Sequence, residues 1–246
     1  MIKSLLKKFL LSQGYVISKS LPEDAQWQAH RNYLDDTIAL VGDADDLCIM
    51  DVGAYIGQMA MAYRSRFPKA RILAFEPCPE SFNILTKKVQ GCNIECHKMA
   101  IAEKSGQTEL QLFDFAPANS ILPPHPNRDK VWGENKLEAT ERLQIEAITL
   151  EDAFNAFNIR HLNVLKLDVQ GLEHQILNAA KGLLKAGRID FIYLELILLP
   201  TYQNQETITN YFKLMEEVGF ELHNFYNLSS VEGQLRQVDA LFKRLK

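Results

Sequence analysis

Apolar runs recur along the chain with amphipathic stretches between them. Leu47–Val52, Arg71–Phe75, Ile94–Ile101, Val164–Asp168 and Asp190–Leu198 carry the strand pattern, and helical periodicity lies around Gln58–Arg66, Glu80–Gln90 and Leu172–Ala186. Strand alternating with crossover helix predicts a mostly parallel sheet covered by helices on both faces. Pro79 suits a first helical position, Gly91, Gly187 and Gly219 suit the residue after a helix, and Thr149 with Asp152 resembles an acidic capping box. After a helix at Gln205–Val218 come strand candidates Phe220–Tyr226 and Gln237–Lys243, separated by the turn-rich Asn227–Gly233. So short a separation predicts an antiparallel hairpin at the end of the sheet. Thr108–Phe113 and Leu143–Ile148 read as short strands bracketing Asp114–Arg142, which holds Pro117, Pro123, Pro124 and Pro126. Such an insertion is either a functional flap or a disordered loop.

Composition narrows the class. The 246 residues, 47% hydrophobic and 24% charged, suffice for one large domain with room for a small extension. A formal net charge of −4 offers no excess of positive charge for a polyanion, so no nucleic-acid partner is expected. Cys48, Cys78, Cys92 and Cys96 form no CxxC pair, which points to reduced thiols and a cytoplasmic protein. No run approaches the about 20 apolar residues that span a bilayer, so no transmembrane segment is expected. Met1–Leu11 is basic, with Leu5, Leu6, Phe9 and Leu10 on one helical face, while Lys7 and Lys8 interrupt any signal-peptide core. The expectation is an N-terminal helical extension, residues 1–45, packed on a domain at 46–246 with a flap at 114–142; attachment to a membrane surface is the alternative.

Chemistry concentrates at Met50–Gln58, where an apolar strand ends in Asp51, turns through Gly53 and enters a helix just after Gly57. Small residues there let backbone approach a ligand above a helix N-terminus. A dinucleotide fingerprint needs a second glycine where this chain has Tyr55, which argues against NAD or FAD. The turn suits instead a nucleoside without phosphates, with an amino-acid tail lying over it. Glu76, at the end of the next strand, can accept hydrogen bonds from both ribose hydroxyls.

Asp51-Val-Gly-Ala-Tyr-Ile-Gly-Gln58 followed by Phe75-Glu-Pro-Cys-Pro-Glu-Ser-Phe82 resembles S-adenosylmethionine-dependent methyltransferases of the FkbM family. Ala100–Gly106, Asn119–Leu122, Ile148–Asp152, Leu165–Glu173 and Tyr193–Glu195 agree, with a weaker echo in Val238–Phe242. The resemblance runs from about Cys48 to Leu198 and departs at Gln170, where the family pattern usually carries an acidic residue. It implies a Rossmann-like, seven-stranded methyltransferase sheet with S-adenosylmethionine across the C-terminal ends of its first strands. Asp51, Gly53, Ala54 and Gly57 would line its methionine part, Glu76 would hold the ribose, and Pro77 and Cys78 would lie near the adenine. Ala100 and Ile101 are either the adenine wall or ordinary core.

A hydroxyl acceptor needs a positioned base or a metal. Asp168 is the first choice for base or substrate anchor, with Glu173 and Glu195 directed toward the same sheet edge; these carboxylates could also hold Mg²⁺. Each has a structural alternative: strand-end charge for Asp168 and Glu195, helix-dipole charge for Glu173. Asn119, Ser120 and His125, in the flap, are candidates to contact the acceptor, with a flexible turn as the alternative. Trp132, with Lys130 and Lys136, either stacks on a sugar or steadies the flap. The implied function is O-methylation of a sugar, glycan or glycosylated natural product, with small molecules or glycans as partners. A catalytically silent cofactor-binding domain, suggested by Gln170, and a nicotinamide oxidoreductase are the alternatives.

Overall fold

Cys48–Val52 (β1) is apolar at every position but Asp51 and buried along its whole length, as a strand covered on both faces must be. It is a central strand in the computed structural model, which describes residues 32–42, 46–133 and 138–245. The expected helix at Met1–Leu11, and Lys136, lie outside the described residues. On one side of β1 run Arg71–Phe75 (β2) and Ile94–His97 (β3); on the other run Leu162–Leu167 (β7) and Ile189–Ile197 (β8), all parallel. Gln234–Arg244 (β10) and Phe220–Val231 (β9) complete the sheet antiparallel, in the order β3-β2-β1-β7-β8-β10-β9. The architecture is therefore the mostly parallel α/β sheet with a C-terminal antiparallel hairpin that the pattern predicts, with the seven strands that the family resemblance implies.

Gln58–Arg66 (α2) and Pro79–Lys88 (α3) follow β1 and β2, and Glu173–Ala179 (α6) with Lys181–Lys185 (α7) links β7 to β8. Ile208–Glu217 (α8) precedes the hairpin. Strand order reverses between β1 and β7, which opens a crevice beyond the C-terminal ends of those strands. At that point Gly53 has a positive φ of 72°, and a Cβ there would lie 1.9 Å from the carbonyl oxygen of Asp168. Glycine is thus demanded by the close approach of the chain leaving β7, not by a ligand. Gly57 is favoured first by its positive φ of 81°, and a Cβ there would also press on the Leu85 side chain of α3 at 2.7 Å.

Several elements differ from the sequence pattern. Ile94–Ile101 is two strands: β3 is half-buried at the sheet edge, while Ala100–Ile101 (β4) turns away and buries both side chains against Ala139–Ile148 (β6). Gly106–Phe113 (β5) pairs antiparallel with β6, completing a second, three-stranded sheet. The expected helix at Leu172–Ala186 breaks at Ala180, beside Gly182, a weak helix former. The hairpin strands are longer than expected, because the turn is only Glu232–Gly233, both at positive φ as a two-residue turn requires. Thr149 caps Leu150–Ala156 (α5) by accepting the Asp152 N–H. Asp152 does not close the capping box, and accepts the Ser105 hydroxyl instead.

The described part of the insertion is packed rather than disordered. It contains a 3-10 turn at Ala116–Ala118 and the helix Asp129–Trp132 (α4), and it buries Ala118, Ser120, Leu122 and Val131. Ser120 bridges to Gln111 of β5, and Pro124 to Tyr202. The helix Tyr33–Val41 (α1) falls inside the expected extension, and Tyr33 stacks on Tyr193 of β8 at 3.7 Å and shares a core with Ile49 and Val164. Asn32–Lys246 forms one compact unit.

Candidate active site

Parallel pairing sets Asp51 of β1 beside Lys166 of β7, and side-chain alternation then puts Asp168 on the same face one step nearer the crevice. Lys166 Nζ lies 3.0 Å from Asp51 Oδ1, 3.0 Å from the Gly53 carbonyl oxygen and 3.5 Å from Asp168 Oδ2. Burial works against the ammonium charge, but the carboxylates of Asp51 and Asp168 outweigh it and hold the Lys166 pKa above its ordinary value. This lysine ties the turn after β1 to the end of β7, and the sequence reading does not single it out. A signal for it exists: a lysine in a strand covered on both faces needs a buried partner.

Glu76, just past the end of β2, is buried and accepts the Tyr55 N–H on Oε2 and the Cys78 N–H on Oε1, each at 2.9 Å. Burial pushes its pKa up to about 7, against the opposing effect of those two hydrogen bonds. Its carboxylate is thereby fixed in orientation with lone pairs to spare.

On the other side of the crevice, Gln170 adopts a left-handed φ of 56° in the loop after β7. Its Nε2 donates to Asp168 Oδ1 at 2.8 Å and to Glu195 Oε2 at 3.0 Å, and its Oε1 accepts the Tyr202 hydroxyl at 3.0 Å. Glu195 Oε1 accepts Gln237 Nε2 at 2.7 Å. An acidic side chain at position 170 would add a third carboxylate; the amide instead joins the two present. Burial first, and then the charges of Asp168, Glu173 and Asp239, raise the Glu195 pKa well above the usual carboxylate range. Asp168 is the accessible member, its side chain 42% exposed.

A cavity of about 420 Å³ lies between these two groups, and its size is that of a small-molecule site. Gly53, Ala54, Glu76 and Pro77 line one side, with Ala100 and Ile101 beside them. Asp168 and Glu195 line the other, and Asn119 and Ser120 reach the wall from the insertion. The Asn119 side-chain oxygen accepts the Phe113 N–H, while the Ser120 hydroxyl donates to the Gln170 carbonyl oxygen at 2.7 Å. Trp132 also lines the cavity, its Nε1 donating to Thr201 Oγ1.

Five expected site residues are elsewhere. Asp51 is fully buried beneath the turn as the partner of Lys166. Gly57 packs against α3, and Cys78, also buried, contributes only its N–H to Glu76. Glu173 folds back under the loop after β7, accepting the N–H groups of Val169 and Gly171 and the Tyr211 hydroxyl; burial pushes its pKa up to about 7. It braces the loop that carries Gln170 and is not open to a substrate. His125 lines a separate cavity with Leu198 and Gln205, and its Nδ1 accepts the Asn127 N–H. Among the described residues no three His, Cys, Asp or Glu side chains converge as metal ligands, so nothing there supports Mg²⁺.

Residues 51–222 match the Methyltransferase FkbM domain, well over half of the chain. The chain belongs to the FkbM methyltransferase family. Among curated relatives, Methyltransferase 1 of Beauveria bassiana is 26% identical over 59% of this chain and 63% of its own length. Methyltransferase sdnD of Sordaria araneosa is 23% identical over 85% of each chain. Hexuronic acid methyltransferase AglP of Haloferax volcanii is 23% identical over 62% of this chain and 56% of its own. The chain thus spans less than two thirds of the length of the first and third of these relatives. The solved METTL16 methyltransferase domain matches at a TM-score of 0.51 and 12% identity, covering 98% of this chain and 79% of that one, a likeness of fold.

The FkbM site fits S-adenosylmethionine on its own geometry. The anchored Glu76 stands at the strand end where a ribose would lie, and apolar Pro77, Ala100 and Ile101 flank it. Tyr55 lines the wall at the position where a dinucleotide site needs bare backbone.

Proposed function

We propose that this FkbM protein is an S-adenosylmethionine-dependent methyltransferase that acts on a hydroxyl oxygen of a sugar, glycan or glycosylated natural product. The observation that carries the reading is that one cavity holds both a carboxylate fixed in orientation at the end of β2, Glu76, and a carboxylate pair, Asp168 and Glu195, joined by Gln170. The sugar class takes its support from the relative named for hexuronic acid methylation. Gly53 and Ala54 would lie along the amino-acid tail, Glu76 would hold the ribose hydroxyls, and Pro77, Ala100 and Ile101 would wall the adenine. When bound, the cofactor supplies an electrophilic methyl group on a sulfonium. The chain's own task is then to hold the acceptor oxygen at near-attack distance, exclude water and receive the hydroxyl proton. Asp168 takes the proton, Asn119 and Ser120 contact the acceptor, and the insertion closes the cavity. The direct test is calorimetric titration with S-adenosylmethionine and S-adenosylhomocysteine, NAD serving as control, followed by labelled-methyl transfer onto a panel of sugars with and without Mg²⁺. Saturable binding of the first two with transfer to a hydroxyl is expected; a folded protein that binds neither would end the reading.

Glu76 makes that titration pH-dependent. Ribose hydroxyls donate to the ionised carboxylate, and the carboxyl of the free protein protonates near pH 7, so affinity is expected to fall as pH drops through about 7. The limit is about tenfold per pH unit if only the ionised form binds. Glu76→Gln should weaken binding by about 1–3 kcal/mol and flatten the profile. Equal affinity at pH 5.5 and 8.5 in the natural protein would remove Glu76 from the ribose.

A further inference from the structure

The cavity has a second cation that the proposed reaction does not use. Arg236, near the start of β10, lines the wall beside Gln237 and Trp132. Its guanidinium carbon lies 4.0 Å from the centre of the Trp132 ring, and Trp132 is itself held by its hydrogen bond to Thr201. The Arg236 backbone is pinned as well, its carbonyl oxygen accepting the N–H groups of Leu198 and Leu199. One hydrogen bond from its side chain is satisfied, Nη2 to Ser229 Oγ at 2.7 Å, while Nε is buried with no partner.

Charge makes this arrangement informative. The cavity's other cation, Lys166, is already matched by Asp51 and Asp168. Arg236 forms no ion pair among the described residues, its neighbours being a hydroxyl and an aromatic face. A half-buried guanidinium lining a cavity gains most from an oxyanion, to which the N–H groups left free on Nη1 and Nη2 can donate together. Stacking on Trp132 fixes the plane of the guanidinium in advance. Sugars bind well against an indole face, so cation and ring together suit an anionic sugar better than a neutral one.

We infer that Arg236, seated on Trp132, is a specificity-determining residue that binds an oxyanion of the acceptor, a carboxylate or a phosphate, so that the methylated substrate is an acidic sugar or glycan. This rests on the methyltransferase reading above. The test is calorimetry on the full chain saturated with S-adenosylhomocysteine, titrated with glucuronate, glucose 6-phosphate and glucose. At least one acid should bind about tenfold more tightly than glucose, with the preference shrinking as salt is added; which acid binds identifies the group. Arg236→Gln should abolish the preference and leave S-adenosylhomocysteine affinity unchanged. Arg236→Lys, which keeps the charge without the guanidinium, should retain part of it. S-adenosylhomocysteine binding with neither acid favoured over glucose overturns the oxyanion site and leaves the methyltransferase reading standing. An unchanged acid preference in a folded Arg236→Gln protein overturns it too. Failure of S-adenosylhomocysteine to bind removes both.

Discussion

Lys166→Met is expected to destabilise the protein by about 3–5 kcal/mol, the cost of stranding one member of a buried ion pair. Asp51 has no solvent-exposed surface, and the lysine Nζ is its partner at 3.0 Å. The same ammonium donates to the Gly53 carbonyl oxygen, so its loss also loosens the turn after β1. Urea unfolding followed by circular dichroism measures the effect. The diagnostic comparison is the double variant Asp51→Asn with Lys166→Met. Replacing both partners removes the uncompensated charge, and much of the lost stability should return. A double variant no more stable than Lys166→Met alone would mean that Asp51 is not the group left stranded.

That pair also shows where a sequence can be read and where it cannot. Strand and helix periodicity places β1, β2, β7, β8, α2 and α3 to within a few residues, because each is buried on a definite face and the pattern records that face. The same rule fails at Ile94–Ile101. One continuous apolar run serves two sheets there, and only the tertiary partner of Ala100, found in β6, tells where the strand breaks. The hairpin beyond α8 fails for a different reason. Glu232 and Gly233 alone make its turn, while the mostly polar Asn227–Val231, which reads as loop, is strand at the sheet edge, where polarity is tolerated.

The site divides along the same line. Residues at strand ends are legible, since a carboxylate following an apolar strand is already placed at the crevice; Glu76, Asp168 and Glu195 all line the cavity. Residues expected on the strength of position in a motif fare differently. Asp51 and Glu173 belong to the same segments, yet one lies beneath the turn and the other beneath the loop, and both satisfy backbone or lysine partners rather than a ligand. Gly53 and Gly57 are glycines for reasons of backbone and packing that only the folded chain discloses. Lys166, Gln170 and Arg236 each have a partner more than twenty residues away in sequence, a separation no local pattern encodes.

Asp168→Asn is expected to lower kcat by about 10²–10⁴, the usual contribution of a positioned base, while leaving the affinity for S-adenosylmethionine unchanged. The expectation follows from how the two carboxylates differ. Glu195 is the more deeply buried, with both oxygens accepting amide N–H groups from Gln170 and Gln237, and burial followed by the charge of Asp168 holds its pKa well above the usual carboxylate range. Asp168 is the accessible one, with Lys166 3.5 Å away to stabilise its charge. Asparagine keeps an oxygen for the Gln170 Nε2 contact, so the pair's geometry should survive, and Glu76 sits across the cavity in a separate network. Glu195→Gln alters a carboxylate whose oxygens are already engaged by Gln170 and Gln237 and should cost far less in kcat than Asp168→Asn. Single-turnover methyl transfer on both variants, with cofactor affinity measured in parallel, separates the roles. Full turnover by Asp168→Asn, or the larger loss in Glu195→Gln, would move the base off Asp168.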